Sequence, residues 1–404
     1  MPYRAWDWVR RVNWRPWLLG AYALSVLVIA IPKGLHHSDN NFLIFDASFW
    51  NLRAGRDLYA PHPDLYIDLF KYSPAFAVLF APISVLPDTL GIVLWDAMNT
   101  MLLALAIVRL LPDRRGDVVL ALTFLEMFGQ MQHSQSNSLL AALVILAFLA
   151  LEAERPVRAA IALAIGTAVK IFPIAGAAMA LPHRGRMRFA LSLGAVLAAV
   201  LALPLLAVTP HEVRAQYVSW MTLLPRDAVA DTIAGRGMHT GGVPELAHLW
   251  FGVSSTPLVI GVAGGVLVVL PLLARWKQWS DPDFRLRFLC SLLVFFVIFN
   301  HRSESPSFVI AIVGIAIWYA ASVPDALTIS VMALAFVVVS LGASSAVPNA
   351  VRVGVVMHYR LKALPCVVAW LVMQAELWGW RVPRPSRPEL APLWRTRSVS
   401  EAPS

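Results

Sequence analysis

Charge is scarce in this chain, and that scarcity excludes a soluble globule. Only 14% of its 404 residues are Asp, Glu, Lys or Arg, while 58% are hydrophobic. So few charges cannot solvate the surface of a chain this long, and the composition is that of an all-helical, polytopic membrane protein. Cysteine is nearly absent. Cys290 and Cys366 both lie in or beside apolar segments, so no disulfide framework is indicated and both read as small buried hydrophobes. There is no glycine-rich phosphate loop, no Rossmann pattern, no repeat of 20 to 50 residues and no low-complexity core. One transmembrane domain over residues 1–380 is expected, followed by a basic tail, 381–404, whose Pro, Arg and Ser content predicts disorder.

The few charges are unevenly divided. One set of loops is short and rich in arginine: Arg4/Arg10/Arg11/Arg15, Arg114/Arg115, Arg155/Arg158, Arg184/Arg186/Arg188, Arg275/Lys277/Arg285/Arg287, and the tail from Arg381 to Arg397. By the positive-inside rule these loops and both termini are cytoplasmic. The net charge of +9 is spread mostly over them. Lipid head groups and orientation account for it, and no nucleic-acid partner is implied. The other set is longer and holds carboxylates, histidines, aromatics and amides: His36 to Tyr72, Gln130 to Asn137, Pro210 to Thr256 and Asn300 to Pro306. These belong on the opposite, outer face, and chemistry is to be sought there.

Apolar stretches read as spans are Pro16–Pro32, Leu90–Leu111, Val118–Gly129, Ser138–Leu151, Phe189–Val208, Pro257–Leu273, Phe288–Phe299, Phe308–Ala321, Ala326–Leu341 and Ala363–Trp378. They make about ten crossings, several shorter than the ~20 residues of a perpendicular helix. The first follows a basic, Trp-rich start with no small-residue cleavage site, so it reads as a retained span. Pro74–Leu86 is bounded by prolines and too short to cross, which predicts a re-entrant element; Ala159–Leu181, with Lys170-Ile171-Phe172-Pro173 in its middle, predicts a short hairpin. Gly342–Lys362 fits least well, because an outer loop carries Arg352, Arg360 and Lys362.

The candidate site residues come from the outer loops. Phe42, Phe45, Phe49 and Leu52 recur at helical spacing, so an interfacial helix is expected, with Asp39 just before it. Asp39 suits a general base, and it equally suits the helix N-cap. In Asn300-His301-Arg302-Ser303-Glu304-Ser305-Pro306, His301 or Arg302 could receive an anion and Glu304 could orient His301; a solvated turn with a cap is the alternative. Gln130, Gln132, His133, Gln135 and Asn137 form a polar turn whose amides suit sugar hydroxyls or helix ends alike. Lys71 and Tyr72 could meet phosphate, or Lys71 could snorkel. Within the membrane, Asp96, Glu126 and Lys170 need partners, and a Lys170–Glu126 pair, or Lys170 on a lipid phosphate, is expected. Asp281-Pro282-Asp283 lies among the arginine loops and reads as a turn. Nothing has metal-ligand spacing.

The ordered strings Asn41-Phe42-Leu43-Ile44-Phe45, Gly55-Arg56-Asp57-Leu58-Tyr59, Phe70-Lys71-Tyr72-Ser73-Pro74, Phe80-Ala81-Pro82, Leu86-Pro87, Gln135-Ser136-Asn137 and Lys170-Ile171-Phe172-Pro173 resemble glycosyltransferase family 87 over roughly residues 15–320. The resemblance implies an integral membrane transferase of the C-type fold in a bacterial inner membrane. It would move a hexose, often mannose, from a polyprenyl-phosphate donor to a lipid or glycan acceptor, without a cofactor. It further implies an aspartate in the first outer loop that deprotonates the acceptor. The family's aspartate position falls on Asn41, which cannot take a proton, so Asp39 is the expected base and Asp46 the next choice, with Asn41 left to bind substrate. A secondary transporter of a small solute or lipid-linked sugar is the competing class, since broken helices and intramembrane charge would serve it too.

Overall fold

The computed structural model describes residues 12–233, 241–253, 257–300, 303–344 and 346–381. The described residues form helices and turns and contain no strand. In chain order the helices are α1 (Arg15–His36), α2 (Asn40–Arg53), α3 (Pro74–Ser84), α4 (Asp88–Leu110), α5 (Arg114–Met131), α6 (Asn137–Glu152), α7 (Pro156–Val169), α8 (Arg186–Leu201), α9 (Pro210–Ile233), α10 (Val243–Phe251), α11 (Pro257–Ala274), α12 (Pro282–Ile298), α13 (Phe308–Ala321), α14 (Ala326–Ala335) and α15 (Ala363–Trp378). A 3-10 segment, Phe172–Ala180, follows α7, and π-helical turns, Phe336–Leu341 and Arg352–Met357, lie between α14 and α15.

The centre of the fold is set by helices that are apolar all round. In α13 every residue from Phe308 to Trp318 is buried, and α6 and α12 are nearly as enclosed. Such helices have no polar face to give to water, so they pack inward. Gly314 lets α13 and α12 approach closely: a Cβ there would stand 2.9 Å from the Cys290 carbonyl oxygen. The outer helices do the reverse. Trp17, Leu24, Val28 and Leu35 of α1, Met187 and Leu191 of α8, and Val259, Val262 and Val266 of α11 are exposed. Rows of outward-facing apolar side chains suit a hydrocarbon solvent. Three stretches, Arg15–His36, Asp88–Leu110 and Arg186–Leu206, are long and apolar enough to cross a membrane by length and composition. Among the described residues, seven further apolar helices are 10–17 residues long.

The expected hairpin forms, with its bend at Lys170. Gly185 sits beside Pro156, Gly176 beside Leu163 and Gly166 beside Pro173, so the 3-10 arm runs back along α7. Pro74 opens α3 behind the Ser73 N-cap, and Pro82 falls in the last turn of that 11-residue helix. One expectation is corrected. Asp281-Pro282-Asp283 is no free turn: the Asp281 carboxylate accepts from the Asp283 amide at 2.9 Å and caps α12, which therefore starts six residues before the expected apolar run. The stretch that opens the expected outer loop Pro210 to Thr256 is helical from Pro210 to Ile233, with Pro225 inside it.

Ion pairs and hydrogen bonds sort the charges by end of the bundle. At one end Arg15 pairs with Asp117 (2.7 Å), Arg285 with Glu152 (2.6 Å), Arg287 with Glu376 (3.4 Å) and Arg381 with Asp325 (2.5 Å). The start of α2, the α5–α6 turn, the hairpin tip, Glu304 and the start of α15 lie at the other end.

Candidate active site

The site is built around the turn 132–136 between α5 and α6, which four helices hold in place. Ser134 is left-handed (φ 42°), and its strain is secured by two contacts from α4. The Trp95 indole donates to the Ser134 carbonyl at 2.7 Å, and the Ser134 hydroxyl donates to Asp96 Oδ2 at 3.1 Å. Asn99 accepts from the Leu139 amide at 3.2 Å, and Gln130 holds both the Gln135 carbonyl and the Ser138 hydroxyl. From α1, Lys33 donates to the carbonyls of Met131 (3.0 Å) and Gln132 (2.5 Å). From α2, Asn41 donates to the His133 carbonyl at 2.8 Å.

Asp39 stands against this turn and does two things at once. Its Oδ1 caps α2 by accepting from the Phe42 amide at 2.9 Å, and its Oδ2 pairs with Lys33. The Asp39 side chain is 6% exposed. Each carboxylate oxygen has a second lone pair, so the cap does not exclude a third partner. Asp46, two turns further along α2, faces elsewhere: its carbonyl accepts from Ser84 of α3 at 3.2 Å and its carboxyl lies near Asp88. Burial and the Asp88 charge push that carboxyl up to about 6.

A second arm joins Glu304 to the hairpin. Gln135 Nε2 donates to Glu304 Oε2 at 2.6 Å, Asn137 Nδ2 donates to Gln135 Oε1 at 2.7 Å, and Lys170 Nζ donates to Asn137 Oδ1 at 2.9 Å. Lys170 also lies 5.8 Å from the centre of the Tyr72 ring. This corrects the expected Lys170–Glu126 pair: the cation against Glu126 is Lys362, at 3.1 Å, brought there from the far end of the chain. Lys71 pairs with Asp68 at 3.3 Å. His301 and Arg302 fall outside the described residues, and their flanks, Asn300 and Glu304, are at this end of the bundle.

His133 connects the arms. It opens to the surface, and partial burial of its ring, with Lys33 close by, holds its pKa below the ordinary imidazole value. Asp39 and Glu304 pull the other way, and Lys362 adds to the downward effect. One imidazole therefore senses charges from α1, the start of α2, the Glu304 turn and the start of α15. Sequence reasoning missed Lys33, which ends an apolar run, and Lys362, which ends the segment that fits its threading least well. Among the described residues no three His, Cys, Asp or Glu side chains gather to hold a metal ion.

What such an arrangement offers is a carboxylate beside a surface-opening imidazole, amides with spare donors, and cations at apolar helix ends. A family model described as Glycosyltransferase family 87 matches residues 70–299, over half of the chain. No curated protein matches it.

Proposed function

The chain belongs to glycosyltransferase family 87, and on that premise we propose that it transfers a hexose, mannose first among the candidates, from a polyprenyl phosphate to a lipid or glycan acceptor. The reaction runs at the outer face of a bacterial inner membrane, in a C-type helical fold of about ten crossings. Both termini are cytoplasmic, in keeping with the positive-inside rule. The single observation that carries this reading is that Asp39, through Lys33, and Glu304, through Gln135, are tied to one and the same polar turn between α5 and α6 although they lie far apart in sequence. The paired arginines of the opposite bundle end support the orientation.

Asp39 is the base. Lys33 fixes its Oδ2, the α2 amide fixes its Oδ1, and the remaining lone pairs accept the acceptor hydroxyl. As that hydroxyl loses its proton to Asp39, its oxygen bonds to the anomeric carbon, and the bond to the phosphate oxygen breaks. Polyprenyl phosphate leaves with the electron pair. Asn41, Gln135 and Asn137 each retain an N–H beyond the bonds described, and these suit sugar hydroxyls. His301 and Arg302 lie three and two residues before Glu304 in sequence and supply positive charge for the leaving phosphate.

The test is to incubate the purified protein with radiolabelled polyprenyl-phosphate hexoses and a membrane-lipid extract. Release of polyprenyl phosphate matched by a new glycolipid is expected. Uptake of solute into proteoliposomes without that turnover would replace the transferase with a transporter.

A further inference from the structure

Lys362 belongs to the segment that the hydrophobic pattern accommodates least, and the structure gives it a place in the cluster. Its ammonium group meets Glu126 Oε2 at 3.1 Å, the Ser305 hydroxyl at 2.9 Å and the Ser305 carbonyl at 3.1 Å. It also lies 5.0 Å from the centre of the Phe308 ring. Three N–H donors are thus matched by three acceptors. The Glu126 side chain is 6% exposed and that of Lys362 is 12% exposed, while Ser305 is open to the surface. Because the Ser305 hydroxyl oxygen accepts from Lys362, its own proton is left to give to something else.

The surroundings say what that is. Ser305 follows Glu304, whose carboxylate holds Gln135 and through it Asn137. Lys33 with Asp39, and Lys362 with Glu126, form two separate ammonium–carboxylate pairs near one imidazole, carried by α1 and α15. A displacement needs such a separation, since incoming and leaving oxygens occupy different positions on the anomeric carbon. A buried Lys–Glu pair contributes little stability compared with an apolar pair of similar volume. An ammonium group and a free hydroxyl proton, one hydrogen bond apart at the mouth of the cluster, match a phosphate ester.

We propose that Lys362 and Ser305 seat the phosphate of the polyprenyl-phosphate donor, an inference that rests on the transferase reading above. Lys362 keeps Glu126 and exchanges a Ser305 contact for a phosphate oxygen, and Ser305 donates its hydroxyl proton to a second one. When the glycosidic bond breaks, the phosphate takes the bonding electrons and gains a second negative charge, which the ammonium group stabilises more than it did the diester.

The experiment compares wild type, Lys362→Gln, Lys362→Arg, Ser305→Ala and the double variant Lys362→Gln/Glu126→Gln in nanodiscs of zwitterionic lipid. Binding of sugar-free polyprenyl phosphate, the KM for donor and acceptor, and the melting temperature are measured. Lys362→Gln and the double variant are expected to weaken polyprenyl-phosphate binding and raise donor KM by roughly 10- to 100-fold. Acceptor KM should stay in place, Lys362→Arg should recover most of the loss, and Ser305→Ala should show a smaller loss of the same kind. The double variant should regain the melting temperature lost by the single one but not the binding. Recovery of binding in the double variant would reduce Lys362 to a counter-ion for Glu126 and overturn the proposal. So would phosphatidylglycerol occupying the seat as well as polyprenyl phosphate does, which would assign it to a membrane phospholipid. If wild type consumes the donor and Lys362→Gln binds it unchanged, this inference falls and the transferase stands. If wild type neither binds nor consumes it, both fall.

Discussion

Replacing Asp39 by asparagine separates the two jobs that its carboxylate performs. The side-chain oxygen facing the Phe42 amide at 2.9 Å survives in asparagine, which is as good an N-cap, so α2 keeps its start. What disappears is the charge opposite Lys33. The side chains of that pair are 17% and 6% exposed, so a charge-assisted bond worth about 1.5–3 kcal/mol is at stake. Lys33 keeps its carbonyl partners on Met131 and Gln132, which brings the expected loss to the lower end of that range. Catalysis suffers far more. An amide cannot take the acceptor proton, and loss of a general base lowers turnover by roughly 10²- to 10⁴-fold, or about 3–5 kcal/mol in the barrier. Asp39→Ala should lose the same activity and about 1 kcal/mol more stability, through the missing cap. Thermal melts and initial rates on the same preparations read both quantities. Wild-type turnover in a folded Asp39→Asn protein would refute the assignment.

Three further expectations follow from separate parts of the fold. Folded protein favours the protonated form of Asp46, whose carboxyl is raised from 3.8 to about 6, so its contribution destabilises the fold increasingly as pH rises through that window. Asp46→Asn should therefore melt higher than wild type at pH 7.5, with the gap closing toward pH 4; a gap independent of pH contradicts this, and loss of transfer in the folded variant would make Asp46 the base. Gln135→Leu breaks the 2.6 Å bond to Glu304 and frees Asn137, and should raise donor KM about tenfold, as loss of a charge-assisted hydrogen bond does, with an unchanged KM as the contrary result. Gly314→Ala pushes a Cβ to 2.9 Å from the Cys290 carbonyl oxygen and should cost about 1–3 kcal/mol by overpacking, seen as a lower melting temperature; an unchanged melt would show that α12 and α13 can part cheaply.

The parts of this protein that were legible in its sequence are those with a local cause. An apolar run between Lys362 and Gly379, interrupted only by Gln374 and Glu376, predicts α15 to its end residues. The proline-bounded segment at Pro74 predicts a short helix, and Lys170-Ile171-Phe172-Pro173 predicts a bend, because each follows from a few neighbouring residues. Asp281 was misread because a capping aspartate and a turn aspartate share one local pattern, and only the helix that follows decides between them. The site was legible as a set of residue types on one set of loops, but its pairings were not. Glu126 and Lys362 stand 236 positions apart, so no local rule could join them. Lys33 was hidden for the opposite reason: it sits at the end of a span, where a lysine ordinarily snorkels to water. Here it turns inward to Asp39 instead, because the 131–132 carbonyls offer it two further acceptors.

The most direct test of the central claim, that one outward-opening cluster around His133 handles a lipid-linked sugar, is a cryo-EM structure with polyprenyl phosphate bound. The account predicts phosphate density beside Lys362 and Ser305, with Asp39 lining the same chamber. Density at the other end of the bundle, among Arg285, Arg287 and Arg381, would contradict it.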